Sequence, residues 1–250
     1  MTIFFPDNIF SRLLVAVIDK EDSNEFLFEP SSILSKKLND DPHSAALIPT
    51  LELITNKELF VSKSVGISFA GPLSNSFIYY EPGLKEIGKI KLAGDISSME
   101  VILSKIIFKE LYDSDIEIAI QTKLEAKISG NYLIAGDENF NNARFEKGIS
   151  IAEEVIEIIS APFVNYVLAS NDKNLLEEYS SKLLPVLDKI EYNNSSSADN
   201  VNLKSSEFIK ENFSSITYKL DEQDVAGINE LLQLPYYHGL IKDLFEVNFV

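Results

Sequence analysis

The stretch Ser44-Ala45-Ala46-Leu47-Ile48-Pro49-Thr50-Leu51-Glu52-Leu53 decides the fold: a short apolar run stops at a proline and gives way at once to a polar helix start. Three later segments repeat the plan in fixed order. They are Gly71-Pro72-Leu73-Ser74-Asn75-Ser76, Gly94-Asp95-Ile96-Ser97-Ser98 and Tyr132-Leu133-Ile134-Ala135-Gly136-Asp137-Glu138. Each sets a buried strand against a polar turn or helix start, so four strand ends can open onto one cleft. Ligands of α/β sheets bind beyond the carboxyl ends of strands, which makes this series the expected site.

Outward from these segments, strand-like and helix-like stretches alternate over the first part of the chain, the pattern of an α/β protein. Val65–Phe69 and Ser76–Tyr80 are β-rich runs around a Gly71-Pro72 turn, and Phe163–Leu168 is a later strand. The last part is mainly helical, at Leu175–Ile190, about Ser205–Phe213, and Glu222–Leu234, with a polar loop at Asn193-Asn194-Ser195-Ser196-Ser197. The order predicts two α/β lobes. Residues 1–82 and 170–250 form lobe one, which is discontinuous and carries the C-terminal helices, and residues 83–169 form lobe two. The crossings are expected near Glu81-Pro82-Gly83 and Ala169-Ser170-Asn171-Asp172, and paired hinges of this kind permit closure over a small ligand.

Composition narrows the partners. The 250 residues carry 22 Lys+Arg against 39 Asp+Glu, a net charge of −17. Nucleic-acid backbones and anionic membranes both require basic surfaces, so neither is an expected partner. An anionic ligand would meet an opposing bulk field, leaving its capture to local donors in the cleft. With 45% hydrophobic and 24% charged residues the chain is ordinary for a globular protein. Its start, Met1-Thr2-Ile3-Phe4-Phe5-Pro6-Asp7, does not read as a signal peptide, and the expected location is the cytoplasm. The absence of cysteine excludes disulfides, thiolate metal sites and a cysteine nucleophile. With two histidines, His43 and His238, well separated, no metal site is expected. Glycine-rich phosphate loops, zinc-protease helices and nucleophile elbows are also missing.

The ordered segments resemble the menaquinone-biosynthesis proteins of the futalosine route, whose best-known member is chorismate dehydratase. Pro30-Ser31 before a helix, then Ala46-Leu47-Ile48-Pro49 with Glu52, is similar to that family's proline-serine helix and "ALIP" strand. Leu133-Ile134-Ala135-Gly136-Asp137-Glu138 resembles its "LLIGDEA" segment, and Ala161-Pro162-Phe163-Val164 its "LPFV" strand. Ile216-Thr217-Tyr218-Lys219-Leu220 leading into Val225-Ala226-Gly227-Ile228 resembles its closing elements. The resemblance covers nearly the whole chain. It implies a two-lobed, type II periplasmic-binding-protein-like α/β fold with a ligand cleft between the lobes.

It also implies site residues. Asn8 matches an asparagine that points into the cleft, and as a residue before a helix it reads equally as an N-cap. Asn75 stands where the family has a ligand-facing serine, flanked by Ser74 and Ser76. Ser97 and Ser98 begin a helix whose free N–H groups suit a carboxylate, and Ser97 with Glu100 also forms a capping box. The chain departs from the family at Glu100-Val101, where threonine-serine is usual. Pro49, Gly71 and Asp137 are the cleft-loop residues, Asp137 either orienting loops across the cleft or capping the next segment.

The activity implied is that of a lyase eliminating water from chorismate to give 3-[(1-carboxyvinyl)oxy]benzoate, without metal or organic cofactor. Asn8 and Asn75 would position the substrate, and no general base is evident. The alternative is a non-catalytic paralogue or sensor that binds a small, chorismate-like carboxylate. The sequence assigns no oligomeric state.

Overall fold

The computed structural model of the protein describes residues 1–18, 25–81, 83, 87–123, 130–191 and 203–250. Pro82 of one expected hinge and the Asn193–Ser197 loop lie outside the described residues. The strands are β1 (Thr2–Pro6), β2 (Glu25–Glu29), β3 (Ala45–Pro49), β4 (Phe60–Phe69), β5 (Ser76–Tyr79), β6 (Lys89–Gly94), β7 (Glu117–Ile120), β8 (Tyr132–Ala135), β9 (Ile149–Ser150), β10 (Phe163–Ser170), β11 (Ile216–Lys219) and β12 (Asn248–Phe249). The helices are α1 (Ile9–Val17), α2 (Leu34–Asp40), α3 (Ser98–Tyr112), α4 (Ile151–Ile159), α5 (Lys173–Leu187), α6 (Leu203–Asn212) and α7 (Glu222–Tyr237). No described helix is long and apolar enough to cross a membrane.

Two sheets carry these strands. The larger has seven, in the order β11-β4-β10-β3-β1-β2, with β12 also pairing β4. The smaller has five, β7-β6-β8-β5-β9. β1 runs parallel to β2 and β3, and β10 is antiparallel to both of its neighbours, β3 and β4. In the small sheet β6 is parallel to β7 and β8, so the ends of β6 and β8 point the same way.

Burial explains the layout. β3 and β10 are buried at every residue, the signature of strands covered on both faces. α1 buries Ile9, Phe10, Leu13 and Leu14, each worth about 1.5–3 kcal/mol relative to exposure. α3 opens with the Ser97–Glu100 capping box that its sequence predicts.

The lobe boundaries need correction at the strand level. Ser76–Tyr79, expected in lobe one, lies in the small sheet, and β10, which apart from its last residue was expected in lobe two, lies in the middle of the large sheet. Both crossings between sheets therefore fall earlier in the chain than expected. The first is the 70–75 turn after β4, and the second follows β9 and α4. The physical reason is that β4 and β5 look like a local hairpin but pair with different partners. β5 takes β8 and β9, whereas β4 takes β10, β11 and β12.

Candidate functional site: a polar seam between the lobes

The four strand ends singled out in the sequence do meet, and a tyrosine stands among them. Tyr166 in β10 pairs with Pro49 at the end of β3 and is 1% exposed. Its hydroxyl lies 3.4 Å from Nδ2 of Asn8, 3.1 Å from Nδ2 of Asn75 and 3.0 Å from Oγ of Ser31. A tyrosine hydroxyl accepts two hydrogen bonds and donates one. The two amides donate to it, it donates to Ser31, and the Ser31 hydroxyl donates to Oδ2 of Asp95 at 2.5 Å. Burial, with the carboxylates of Asp95 and Glu100 nearby, raises the Tyr166 pKa well above that of a free phenol.

Local structure positions each member. Asn8 is the N-cap of α1, its Oδ1 accepting from Ser11 N at 2.9 Å, which leaves Nδ2 for the seam. Capping and cleft contact use different atoms of one amide. Asn75 lies in the crossing turn, where its backbone oxygen accepts from Gly136 N at 2.8 Å. Its Oδ1 is buried and has no hydrogen-bond partner.

Carboxylates of the chain occupy the serines. Oε2 of Glu100 accepts from the backbone N and Oγ of Ser97 at 2.9 and 2.6 Å, and Oε1 accepts from Ser76 Oγ at 3.2 Å. Burial, opposed by the Ser97 donors, pushes the Glu100 carboxyl up to about 7. Ser98 Oγ donates to Oε1 of Glu52, and Ser35 Oγ donates to Oε2. Asp137 accepts from Ile9 N at 2.8 Å through Oδ1 and from Arg12 Nη1 at 2.7 Å through Oδ2. Arg12 also pairs with Asp7. Burial raises the pKa of both Asp95 and Asp137, against the lowering effect of the hydrogen bonds they accept.

Two expected residues stand apart from this network. Ser74 Oγ accepts from Ser76 N and from Ala152 N, tying the turn to the start of α4. Gly71 packs against Ser215, where a Cβ would come within 2.8 Å of that side chain. His238 is paired with Glu110 at a separate surface groove.

Beside the seam a cavity of about 730 Å³ opens to solvent, lined among others by Arg12, Lys123, Arg144, Asp95, Asp137 and Glu138. Nη1 of Arg144 is itself shut off from solvent and has no hydrogen-bond partner. The cationic side chains on this lining are donors that a ligand carboxylate can accept from.

No family model matches the chain, and no curated protein matches it in sequence. Solved structures do match in shape. Protein AF1704 from Archaeoglobus fulgidus superposes with a TM-score of 0.69 at 14% identity, covering 96% of this chain and 98% of that one. The Candida albicans CA3427 gene product, described as exhibiting the generic periplasmic binding protein fold, gives 0.55 at 12% identity over 98% and 91%. The periplasmic aliphatic sulphonate binding protein SsuA from Escherichia coli gives 0.51 at 10% identity over 99% and 94%. The fold is the two-lobed, type II periplasmic-binding-protein-like fold. Identities this low carry the fold and nothing finer.

Within that fold, sequence reasoning missed Tyr166, Ser31, Glu52 and Arg144 as site members. Tyr166 sits inside an apolar strand, where nothing local marks its hydroxyl. Ser31 and Glu52 did stand in motifs that the sequence singled out, and the signal for them was a polar residue within three positions after a proline. Arg144 belongs to a short 3₁₀ turn (Asn141–Lys147) with no helical period to read.

Proposed function

We propose that this protein binds a small carboxylate-bearing solute in the cleft between its lobes, as a non-catalytic binding protein or sensor. The observation that carries this reading is the cavity itself, whose lining brings Arg12, Lys123 and Arg144 to one opening. A ligand carboxylate is the anion that such cationic side chains pair with. The hydroxyls of Ser76, Ser97 and Ser98, by contrast, already donate to Glu100 and Glu52. Donors committed in this way favour binding at the cavity over chemistry at the seam.

A second reading, the lyase acting on chorismate, is favoured by the convergence of Asn8 and Asn75 on one hydroxyl. Two amides fixed by buried backbone are the positioning groups such an elimination requires.

Thermal unfolding with chorismate, benzoate, citrate and a small alkyl sulphonate, with product chromatography on the chorismate sample, separates the readings. A melting shift without product, abolished by Arg144→Ala, supports the binding protein. Ligand at a hundredfold its dissociation constant stabilises by about 2.7 kcal/mol. Enolpyruvyl-benzoate formation above the uncatalysed rate establishes the lyase instead. Absence of any shift with every probe overturns the binding reading.

A further inference from the structure

The cavity beside the seam carries charges of both signs. β7, β6 and β8 are neighbours in the small sheet and run parallel, and the segments that follow them bring Lys123, Asp95 and Glu138 to the lining in that order. The 3₁₀ turn after β8 adds Arg144. Adjacent strands lie about 4.8 Å apart, so the outer two ends are separated by about 10 Å, a span that one small molecule and the side chains around it can bridge. Among the described residues, the ion pairs of this lining are Arg12 with Asp7 and with Asp137. Lys123, Glu138 and Arg144 are left with their charges unpaired. Asp95 accepts from two neutral donors, Ser31 N at 2.8 Å and Ser31 Oγ at 2.5 Å. Burial, followed by the like charges of Asp7 and Asp137, raises its pKa against those donors. A carboxylate offers about four acceptor sites, so Asp95 can still take a cationic donor.

We propose that the solute is a free amino acid, its carboxylate held by Lys123 and Arg144 and its ammonium by Asp95 and Glu138. This rests on the carboxylate-binding reading and adds to it a second, opposite charge on the ligand. A solute with carboxylates alone pairs with the cations but sets more negative charge beside Asp95, where Asp7 and Asp137 already share one arginine. A zwitterion brings the cation that Asp95 lacks together with the anion that Lys123 and Arg144 lack. Carrying no net charge, it also meets no opposing field from a chain of net charge −17. The volume of about 730 Å³ lies within the range of small-molecule sites.

Thermal unfolding of the full chain with each standard L-amino acid finds the tightest one, and calorimetric titration then compares it with two analogues. The deaminated acid keeps the carboxylate alone, and the α-amide keeps the ammonium alone. The amino acid is expected to bind more tightly than either analogue by about tenfold or more. Asp95→Asn, which keeps an acceptor for Ser31 N, is expected to bring the amino acid down toward the affinity of its deaminated acid. Glu138→Gln, at an exposed position, serves if the asparagine variant does not fold, and is expected to narrow the same gap. A gap unchanged in the folded variant overturns the proposal. A deaminated acid that binds as tightly as the amino acid overturns it too, and leaves the carboxylate-binding reading standing. An amide that binds as tightly overturns both, because the carboxylate then contributes nothing. Binding of benzoate or citrate with no binding of any amino acid overturns the proposal alone, and no binding of any of these solutes overturns both.

Discussion

Ser98 Oγ donates to Oε1 of Glu52 at 2.5 Å, joining the first residue of α3 in the small lobe to the turn after β3 in the large one. The hydroxyl and the carboxylate belong to two segments picked out by the same sequence pattern, and they satisfy each other across the cleft. A hydrogen bond to a charged acceptor contributes about 1.5–3 kcal/mol. A double-mutant cycle of Ser98→Ala and Glu52→Ala in urea unfolding is expected to return a coupling energy near the lower end of that range, because Ser98 is exposed. A coupling of zero means that water replaces the contact at no cost.

Tyr166→Phe deletes the hydroxyl that Asn8, Asn75 and Ser31 share and leaves buried amide donors without an acceptor. The expected cost is about 1–3 kcal/mol. It is read from the urea midpoint with the slope unchanged.

Glu100 makes stability depend on pH in a defined direction. Its carboxyl is pushed from the ordinary 4.5 up to about 7 in the folded protein, chiefly by burial. The folded state then binds the proton more tightly than the unfolded chain does. The contribution is present in full below the unfolded value and is lost as pH rises through the folded one. Glu100→Gln, an isostere of the protonated form, is expected to match the parent near pH 4 and to exceed it above pH 7 by on the order of 3 kcal/mol. Melting curves across that window check it, and a parent that gains stability with rising pH relative to the variant refutes it.

Gly94→Ala and Gly83→Ala separate packing from backbone strain. Both positions have φ near +90, at +88 and +89. A Cβ at Gly94 meets the Ala135 carbonyl oxygen at 2.0 Å, whereas at Gly83 nothing lies within 4 Å. Gly83→Ala is expected to cost about 1 kcal/mol from left-handed backbone alone. Gly94→Ala is expected to cost on the order of 2–4 kcal/mol, since β6 and β8 must part. Thermal unfolding of the two variants side by side gives the comparison.

The α/β class, the buried β3 and β10 runs and the capping box of α3 were legible because each leaves a local trace: an unbroken apolar run, or a serine three residues before a glutamate. The sheet membership of β5 and β10 was not, because pairing is a long-range choice and both strands are equally apolar. At the seam, Asn8 and Asn75 were singled out through the family resemblance, and both lie at strand ends. Their shared partner Tyr166 was hidden because its hydroxyl is polar only at the tip of a core side chain. The occupation of Ser97 and Ser98 by Glu100 and Glu52 was half visible. The glutamate three residues on signalled the first pair, and nothing local signals a contact 46 residues away.

The split ancestry of the sheets also sets an order of assembly. The small sheet draws its strands from one continuous stretch, β5 to β9, whereas the large sheet must wait for β10 before β3 and β4 are bridged. During synthesis from the N-terminus, the small lobe has all its strands while the large lobe still shows two unzipped edges. β3 and β4 therefore spend that interval without the strand that bridges them, and unpaired apolar edges of this kind invite aggregation. The insertion that builds the cleft is thus also the delay that the nascent protein must survive.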